Sequence, residues 1–153
     1  MKEEKLVHWM KHCNLIKERS PCIRGKVGAF IIDSNDNPVS AGYNGTPRRA
    51  PGDYCGLNAC LRDNQKIKSG ESIEIGCLHA EQNSICNAAK KGISLDNCTI
   101  IISTYPCLSC AKYIHHSGIS LVAVPKCSYY SLAGVHYLIE NGVEVKFITA
   151  EST

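Results

Sequence analysis

Residues 79–124 read HAEQNSICNAAKKGISLDNCTIIISTYPCLSCAKYIHHSGISLVAV, and segments that favour helix alternate along them with segments that favour strand. The periodicity predicts helices over 79–91 and 106–118, and strands over 98–103 and 120–124. Strands joined by helices of this length lie parallel and connect through right-handed crossovers. This part of the chain therefore predicts the parallel half of an α/β sheet.

The flanking sequence extends this pattern in both directions. On the C-terminal side, a further helix and strand are predicted at 129–140 and 143–148. On the N-terminal side, an amphipathic helix at 2–18 precedes two β-rich runs at 26–32 and 38–43, which indicate an antiparallel hairpin. Together these elements predict a five-stranded mixed sheet covered by helices on both faces.

Length and composition limit the classes of protein to which this chain can belong. With 153 residues, of which 44% are hydrophobic, it fits one compact domain over 1–153 with a single core. No apolar run approaches the length of a membrane span, and the charged start, MKEEK, lacks the apolar region of a secretory signal. We therefore expect a soluble, cytoplasmic protein without a membrane association. A formal charge of +3 is too small to indicate a surface for nucleic-acid polymers, although it suits a pocket for a small anion.

Ten cysteines are many for a chain of this length, and they allow either disulfides or metal sites. We favour metal binding, because no export signal is seen and several cysteines lie near His and Glu in ligand spacing. Four others fit apolar positions of helices and strands and are expected in the core: Cys13, Cys86, Cys98 and Cys127.

The ligand spacing is clearest at the starts of the two helices of residues 79–124. Three side chains there suit zinc: His79, Cys107 and Cys110. Three protein ligands leave one position of a tetrahedral zinc ion open to water, as in catalytic sites, whereas structural sites use four. Glu81 could take a proton from that water and pass it to a leaving group, which is the chemistry of hydrolytic deamination. The alternative is a closed zinc site with another fourth ligand and Glu81 as a surface charge.

A family resemblance rests on these residues together with motifs earlier in the chain. In family order, the motifs are Lys26-Val27-Gly28-Ala29, Gly42-Tyr43-Asn44-Gly45-Thr46-Pro47, His79-Ala80-Glu81-Gln82-Asn83 and Pro106-Cys107 to Cys110-Ala111-Lys112. On these motifs the chain resembles the cytidine deaminase superfamily and, more narrowly, the deoxycytidylate (dCMP) deaminases. The resemblance implies a three-layer α/β/α fold, a catalytic zinc ion and hydrolysis of dCMP to dUMP and ammonia, with Glu81 as the acid and base. It also implies a role in supplying dUMP for thymidylate synthesis.

The same resemblance suggests residues that contact the substrate. Asn44 lies in the motif that resembles the family's nucleoside-contacting loop, although Asn-Gly is also a common turn sequence. Lys26 is a candidate for the 5′-phosphate and could equally be a solvated lysine at a strand end. Ala80 lies between the ligand His79 and the acid Glu81. Its small side chain would allow the substrate to pack against the backbone. Tyr129 follows a strand that should end beside the pocket and is a candidate substrate contact. The favoured alternative is that it is an ordinary aromatic residue at the start of a helix.

Many members of this family are homo-hexamers that dCTP activates and dTTP inhibits, with the effector bound near the Gly-Tyr-Asn-Gly loop. The resemblance therefore implies a homo-oligomer, with a hexamer favoured, and dCTP and dTTP as effectors, with Mg²⁺ accompanying the triphosphate. The nearby charges that could hold the extra phosphates are Arg48, Arg49 and Lys90. Exposed basic residues are often simply solvated, and the sequence leaves that alternative open.

Residues 44–76 have no regular pattern, which is unusual within a compact domain unless something else holds the chain. Four cysteines bracket this stretch: Cys22, Cys55, Cys60 and Cys77. The arrangement resembles a subgroup of dCMP deaminases that carry a structural zinc ion, and four thiolates would anchor a loop with few apolar residues of its own. The alternative is four small buried cysteines.

Two other functions remain open on the sequence. One is a zinc deaminase with another substrate, such as cytidine, a free base or an adenosine in tRNA, although a tRNA enzyme would usually present a more basic face. The other is a non-catalytic zinc module that mediates contacts with other macromolecules. Glu81 separates these classes, because a binding module has no use for a buried carboxylate beside an open zinc position.

Overall fold

The helices and strands expected from the sequence are present in the structure, a computed structural model that describes residues 1–56, 60–68, 71, 73, 75–127 and 131–149. Within these residues the elements, in chain order, are α1 (Glu3–Lys17), β1 (Gly28–Ile32), β2 (Pro38–Tyr43), α2 (Leu61–Asn64), α3 (Ala80–Ala89), β3 (Thr99–Ile102), α4 (Leu108–His116), β4 (Leu121–Pro125), α5 (Ala133–Glu140) and β5 (Glu144–Ile148). The sequence did not predict α2, which lies inside the stretch without a regular pattern. Most of the other elements are shorter than expected by a residue or more at their ends.

The strands of the described chain form one mixed sheet of five, in the order β2-β1-β3-β4-β5. β1 pairs antiparallel with β2 and with β3, so that Ala29 stands opposite Gly42 on one side and Ile102 on the other. β3, β4 and β5 are parallel neighbours, as the alternation of helices and strands predicted. The carboxyl ends of these parallel strands meet at one edge of the sheet, which is where α/β sheets bind their ligands.

Helices cover both faces of the sheet and complete the expected three-layer α/β/α fold. α1 packs on the face that carries Ile101, and Leu6 and Cys13 of α1 are fully buried there. α3, α4 and α5 pack on the opposite face, which carries Ile100 and Ile102. A strand that is buried on both faces needs consecutive apolar residues, and this explains the Ile-Ile-Ile run of β3.

Two further expectations differ from the structure. The helix predicted to begin at residue 129 begins at Ala133, whose backbone N–H donates to the Ser131 hydroxyl at 3.2 Å. Cys86, expected in the core, is exposed, because the buried positions of α3 follow a stripe of Ala80, Ser84 and Ala88 from which Cys86 points away.

The other cysteines assigned to the core agree better with the structure. Cys13 and Cys98 are buried, and Cys127 is half-buried. No helix in the described ranges combines the length and the apolar character needed to cross a membrane.

Candidate metal centre and active site

The two predicted ligand groups lie at the starts of neighbouring helices. His79 is the N-cap residue of α3, and Cys107 is the N-cap residue of α4. Both therefore precede their helix by one residue, although the sequence had suggested the first turn. The Gln82 side-chain oxygen accepts the backbone N–H of His79 at 2.9 Å, which fixes the entry of the chain into α3.

The side chains of His79, Cys107 and Cys110 converge on one point. His79 Nδ1 lies 3.5 Å from Cys107 Sγ and 3.3 Å from Cys110 Sγ. All three candidate ligand atoms lie within 4.8 Å of one another. Tetrahedral zinc with ordinary bond lengths would hold nitrogen and sulfur ligands about 3.6 Å apart. The donor set and its spacing therefore fit a zinc ion.

The immediate surroundings favour the thiolate form of Cys107. The hydrogen bond from the Cys110 side chain is the main cause that lowers the pKa of the Cys107 thiol, to about 4, against the opposing effect of burial. The backbone N–H of Cys110 also donates to Cys107 Sγ, at 3.4 Å. Because the thiolate is the form that binds metals, this cysteine is prepared for a cation.

Glu81 is buried beside these ligands, with 3% of its surface exposed. Burial raises the pKa of its carboxyl to about 7, while its own backbone N–H and then His79 act in the opposite direction. A carboxyl group with a pKa near the working pH can both accept and donate a proton. The alternative in which Glu81 is a surface charge is therefore wrong.

Asn44 is nearly buried and holds the loop that follows β2. Its side-chain oxygen accepts the Val27 backbone N–H at 2.8 Å and the Ser20 hydroxyl at 2.7 Å. Its side-chain nitrogen donates to the Gly25 carbonyl at 2.9 Å. These bonds use three of the four that an asparagine side chain can form, which leaves one N–H for a ligand.

The other residues expected to touch the substrate have different settings. Lys26 Nζ donates to the Glu18 carbonyl at 3.0 Å in an exposed position at the end of α1. Ala80 is fully buried and packs in the core between α3 and the sheet. Tyr129 lies outside the described residues.

A surface cavity of about 120 Å³ lies next to the Gly42-Tyr43 part of the sequence motif. Of the three basic residues expected to hold effector phosphates, Arg48 lines this cavity, whereas Arg49 and Lys90 do not. Its polar lining also includes Thr46 and three residues to which the sequence assigned no role: Arg19, Asn83 and Asn87. The spacing of the two asparagines, one helical turn apart, is the signal that could have identified them.

Hydrogen bonds and a ring contact fix the walls of this cavity. Asn83 and Asn87 donate side-chain N–H groups to the Tyr43 carbonyl at 2.6 Å and the Ala41 carbonyl at 2.9 Å. The Arg19 guanidinium lies 5.5 Å from the centre of the Tyr43 ring. The cavity is therefore built by α1, β2 and α3 together.

Of the four cysteines expected at a second metal, Cys55 contacts two others. Cys55 is buried, and its thiol hydrogen-bonds with Cys22 and Cys77. Burial is the main cause that raises the pKa of Cys55, and the neighbouring Cys22 and Cys77 raise it further. Burial also raises the pKa of Cys77, to which Cys60 adds a smaller effect in the same direction. Among the described residues these cysteines do not form a second group of three ligand atoms as tight as that of His79, Cys107 and Cys110.

Arginine side chains hold the backbone around these cysteines. Arg24 donates to the Ile67 carbonyl at 2.8 Å and lies 3.2 Å from the Asp63 carboxylate. Arg62 donates to the carbonyls of Lys68 and Glu71 at 3.2 and 3.0 Å. The loop is thus organised partly by guanidinium groups.

Known proteins are similar to this chain in sequence and in structure. A family model described as the cytidine and deoxycytidylate deaminase zinc-binding region matches residues 3–126. Deoxycytidylate deaminase of Schizosaccharomyces pombe is 33% identical over 116 residues, which are 75% of this chain and 35% of that protein. The probable deoxycytidylate deaminase of Drosophila melanogaster is 34% identical over 125 residues, which are 79% of this chain and 61% of that protein. The chain thus spans about a third and three fifths of the lengths of these two relatives.

A solved structure matches almost the whole fold. The crystal structure of the dCMP deaminase from cyanophage S-TIM5, in complex with dCMP and dUMP, has a TM-score of 0.77 and 30% sequence identity. The match covers 97% of this chain and 99% of that one.

Proposed function

The chain belongs to the cytidine and deoxycytidylate deaminase family, whose zinc-binding region it matches over residues 3–126, and we propose that it forms a single domain that deaminates dCMP. The reaction is hydrolysis of dCMP to dUMP and ammonia. The observation that carries this proposal is the buried Glu81 carboxyl beside a cluster of the donor types that zinc prefers: His79, Cys107 and Cys110. The S-TIM5 enzyme, which was crystallised with dCMP and dUMP, and the two deoxycytidylate deaminase relatives support dCMP as the substrate.

The residues of the site divide the chemistry among them. His79, Cys107 and Cys110 would hold the zinc ion, which would polarise a water molecule and bring its pKa towards 7. Glu81 takes up a proton from the reacting water and delivers it to the departing amino group of the cytosine. Burial supports both steps, since it brings the pKa of Glu81 to about 7 and keeps bulk water away from the carboxyl.

The nucleotide is recognised by residues that border the site. We assign the remaining side-chain N–H of Asn44 to a hydroxyl of the deoxyribose, because its other bonds hold the amide rigidly in place. We propose that Lys26 binds the 5′-phosphate. Its hydrogen bond to the Glu18 carbonyl is exposed to solvent, so replacing it by a bond to an anion costs little free energy. Ala80 and Tyr129 stay proposed as substrate contacts on the resemblance alone.

Ammonia release from a panel of substrates tests the proposal. The panel consists of dCMP, CMP, deoxycytidine, cytosine and a tRNA substrate, each with and without dCTP. We expect the highest kcat/KM for dCMP. A higher kcat/KM for an unphosphorylated nucleoside would refute the substrate, and ammonia from none of the panel would refute the activity.

We also propose that the cavity beside Gly42 and Tyr43 binds the triphosphate effectors dCTP, which activates, and dTTP, which inhibits, with Mg²⁺. Two guanidinium groups, of Arg19 and Arg48, line this cavity together with side-chain amides. Guanidinium groups match phosphate geometry well, and amides suit the edge of a base. Arg49 and Lys90 lie outside the cavity and have no support in this role.

The second zinc ion remains a proposal for the cysteines near α2. The contacts of Cys55 with Cys22 and Cys77 support it, and Cys60 lies at the start of α2. A cation at this point would favour the thiolate forms that burial now disfavours, and it would draw the sulfur atoms together. Such a site would fix residues 55–77 against the start of α3.

Assembly and cellular role follow from the family resemblance. Exposed apolar side chains occur on α4, on α5 and just before α5: Leu108, Tyr113, Leu132 and Ile139. Burial of such residues between subunits would stabilise a homo-oligomer, and we propose a homo-hexamer, which sedimentation analysis would test. We further propose a cytoplasmic enzyme whose dUMP supplies thymidylate synthesis.

A further inference from the structure

Thr104 carries a buried hydroxyl group that has no hydrogen-bond partner anywhere in the described part of the chain. Buried polar atoms in folded proteins are almost always paired, and an unpaired one costs free energy. A valine would have the same shape and would avoid this cost. An unpaired hydroxyl at such a position is available to a bound ligand.

The position of Thr104 follows from the strand pairing. Ile102 pairs with Ala29, and the Ser103 backbone N–H then donates to the Gly28 carbonyl at 3.0 Å. The next residue, Thr104, consequently stands beside Val27. Since side chains alternate along a strand, Thr104 shares its face with Ile102, the face on which α3 and α4 pack.

This location lies between two parts of the proposed active site. On one side, the Val27 backbone N–H is bound to the Asn44 side chain at 2.8 Å. On the other side, Thr104 is three residues before Cys107, at the carboxyl end of β3. Thr104 therefore connects, along the chain and across the sheet, a residue assigned to the nucleoside with residues assigned to the metal.

We propose that Thr104 is a specificity-determining residue whose hydroxyl hydrogen-bonds to the pyrimidine base of the bound nucleotide. The base is the favoured partner because the reacting ring must lie over the metal ligands, and Thr104 lies three residues before one of them, Cys107. A hydroxyl can donate or accept, so it can serve either a ring nitrogen or a carbonyl of the base. In the free protein this bond is missing, which explains the unpaired oxygen. The inference rests on the proposed function and adds to it a residue that the sequence motifs do not contain.

The variant that tests the inference is Thr104→Val, with Thr104→Ser as the conservative variant. For Thr104→Val we expect a KM for dCMP that is raised about tenfold with kcat little changed, because a bond made equally in the ground state and the transition state is lost. We expect its melting temperature without ligand to be unchanged or higher, since the lost hydroxyl has no partner there. Thr104→Ser should restore the wild-type KM.

The matched control is Thr99→Val, at the other end of β3, where Thr99 is also buried. This control should leave the KM unchanged. A lower melting temperature of Thr104→Val together with an unchanged KM would show a purely structural hydroxyl and overturn the inference. The assignment to the base is tested with 2′,3′-dideoxy-CMP, for which the rise in KM should persist. Its disappearance with this analogue would place the contact on the sugar and contradict the proposal.

Failure of the proposed function can be told apart from failure of this inference. If the wild type releases no ammonia from dCMP, the proposed activity is wrong, and the rise in melting temperature caused by dUMP then tests Thr104. The inference predicts that dUMP stabilises the wild type and Thr104→Ser more than it stabilises Thr104→Val. Equal stabilisation of all three, or none in the wild type, would overturn it.

Discussion

Gly134 lies so close to Pro106 that a Cβ atom on residue 134 would stand 2.1 Å from the Pro106 carbonyl oxygen. The same Cβ atom would also meet the backbone of Cys107 at 2.9 and 3.0 Å. The first turn of α5 therefore packs directly on the backbone that carries a metal ligand. Only a residue without a side chain allows this approach.

The Gly134→Ala variant should lose both stability and zinc. Replacing glycine by alanine within a helix normally stabilises it by up to about 1 kcal/mol. Here we expect the free energy of unfolding to fall by roughly 1–3 kcal/mol instead, because relief of the clash must displace either α5 or the turn that bears Cys107. Urea unfolding and the zinc content of the purified protein measure the two effects.

The matched control is Gly25→Ala, since a Cβ atom at Gly25 would meet nothing within 4 Å. This control should keep the zinc content and the stability of the wild type. If Gly134→Ala has the zinc content and stability of the wild type, the turn at Cys107 tolerates displacement of α5 and the prediction is wrong.

The Glu81→Gln variant should retain zinc and lose deamination. Glutamine keeps the size of the side chain but cannot carry the proton, and general acid and base groups contribute about 10²- to 10⁴-fold to rate. Ammonia release and zinc content are measured on the same preparation. Glu140→Gln, at the exposed end of α5, serves as the control and should be fully active. Full activity in Glu81→Gln would remove the assigned acid and base.

The parts of the site that sequence predicted are those encoded by local spacing. His79 and Glu81 are two residues apart, Cys107 and Cys110 are one helical turn apart, and the alternation of elements brings both pairs to one edge of the sheet. Such patterns are visible because the chemistry constrains neighbouring positions in the chain.

The parts that sequence did not predict depend on packing between distant segments. Arg19 follows the C-terminal end of α1 and Asn83 lies in α3. They line one cavity only because both helices pack against β2. Likewise, the identity of Thr104 does not reveal that its hydroxyl is unpaired, since this is a property of its buried surroundings. Asn44 fitted two interpretations on sequence, and its three hydrogen bonds show that it also has a structural role.

Zinc stoichiometry should distinguish one metal site from two. We expect two zinc ions per chain in the wild type and a value close to one in Cys55→Ser, because Cys55 contacts Cys22 and Cys77 at the centre of the proposed site. Cys86→Ser is the matched control, since Cys86 is exposed on α3 and should leave the count at two. One zinc ion in the well-folded wild type would exclude the second site.

The effector cavity predicts different behaviour for two adjacent arginines. Arg48 lines the cavity and Arg49 does not. Arg48→Gln removes a charged phosphate ligand. At subsaturating dCMP, it should therefore raise the dCTP concentration that gives half-maximal activation at least tenfold. Arg49→Gln should respond to dCTP as the wild type does. Equal loss in both variants would indicate a general effect of surface charge rather than a contact in the cavity.

Asp36 should make the stability of the fold depend on pH at the acidic end. Its carboxylate joins the β1–β2 turn to α1, with one oxygen 2.8 Å from Lys5 Nζ and the other accepting Trp9 Nε1–H at 2.7 Å. The hydrogen bond from Lys5, and next that from Trp9, lowers the pKa of Asp36 below its usual value of 3.8. The unfolded chain therefore binds this proton at a higher pH than the folded chain does, so the contribution is present above the unfolded pKa and is lost as the pH falls through the folded pKa.

The Asp36→Asn variant should accordingly be less stable than the wild type at about pH 7, and the difference should shrink as the pH is lowered towards about 3. Urea unfolding followed by Trp9 emission reports this directly, because Trp9 is the only tryptophan in the chain and lies at the contact itself. Lys5→Gln combined with Asp36→Asn closes a double-mutant cycle that isolates the ion pair from the Trp9 bond. A difference in stability that stays constant over this pH range would show that Asp36 acts through shape and not through its charge.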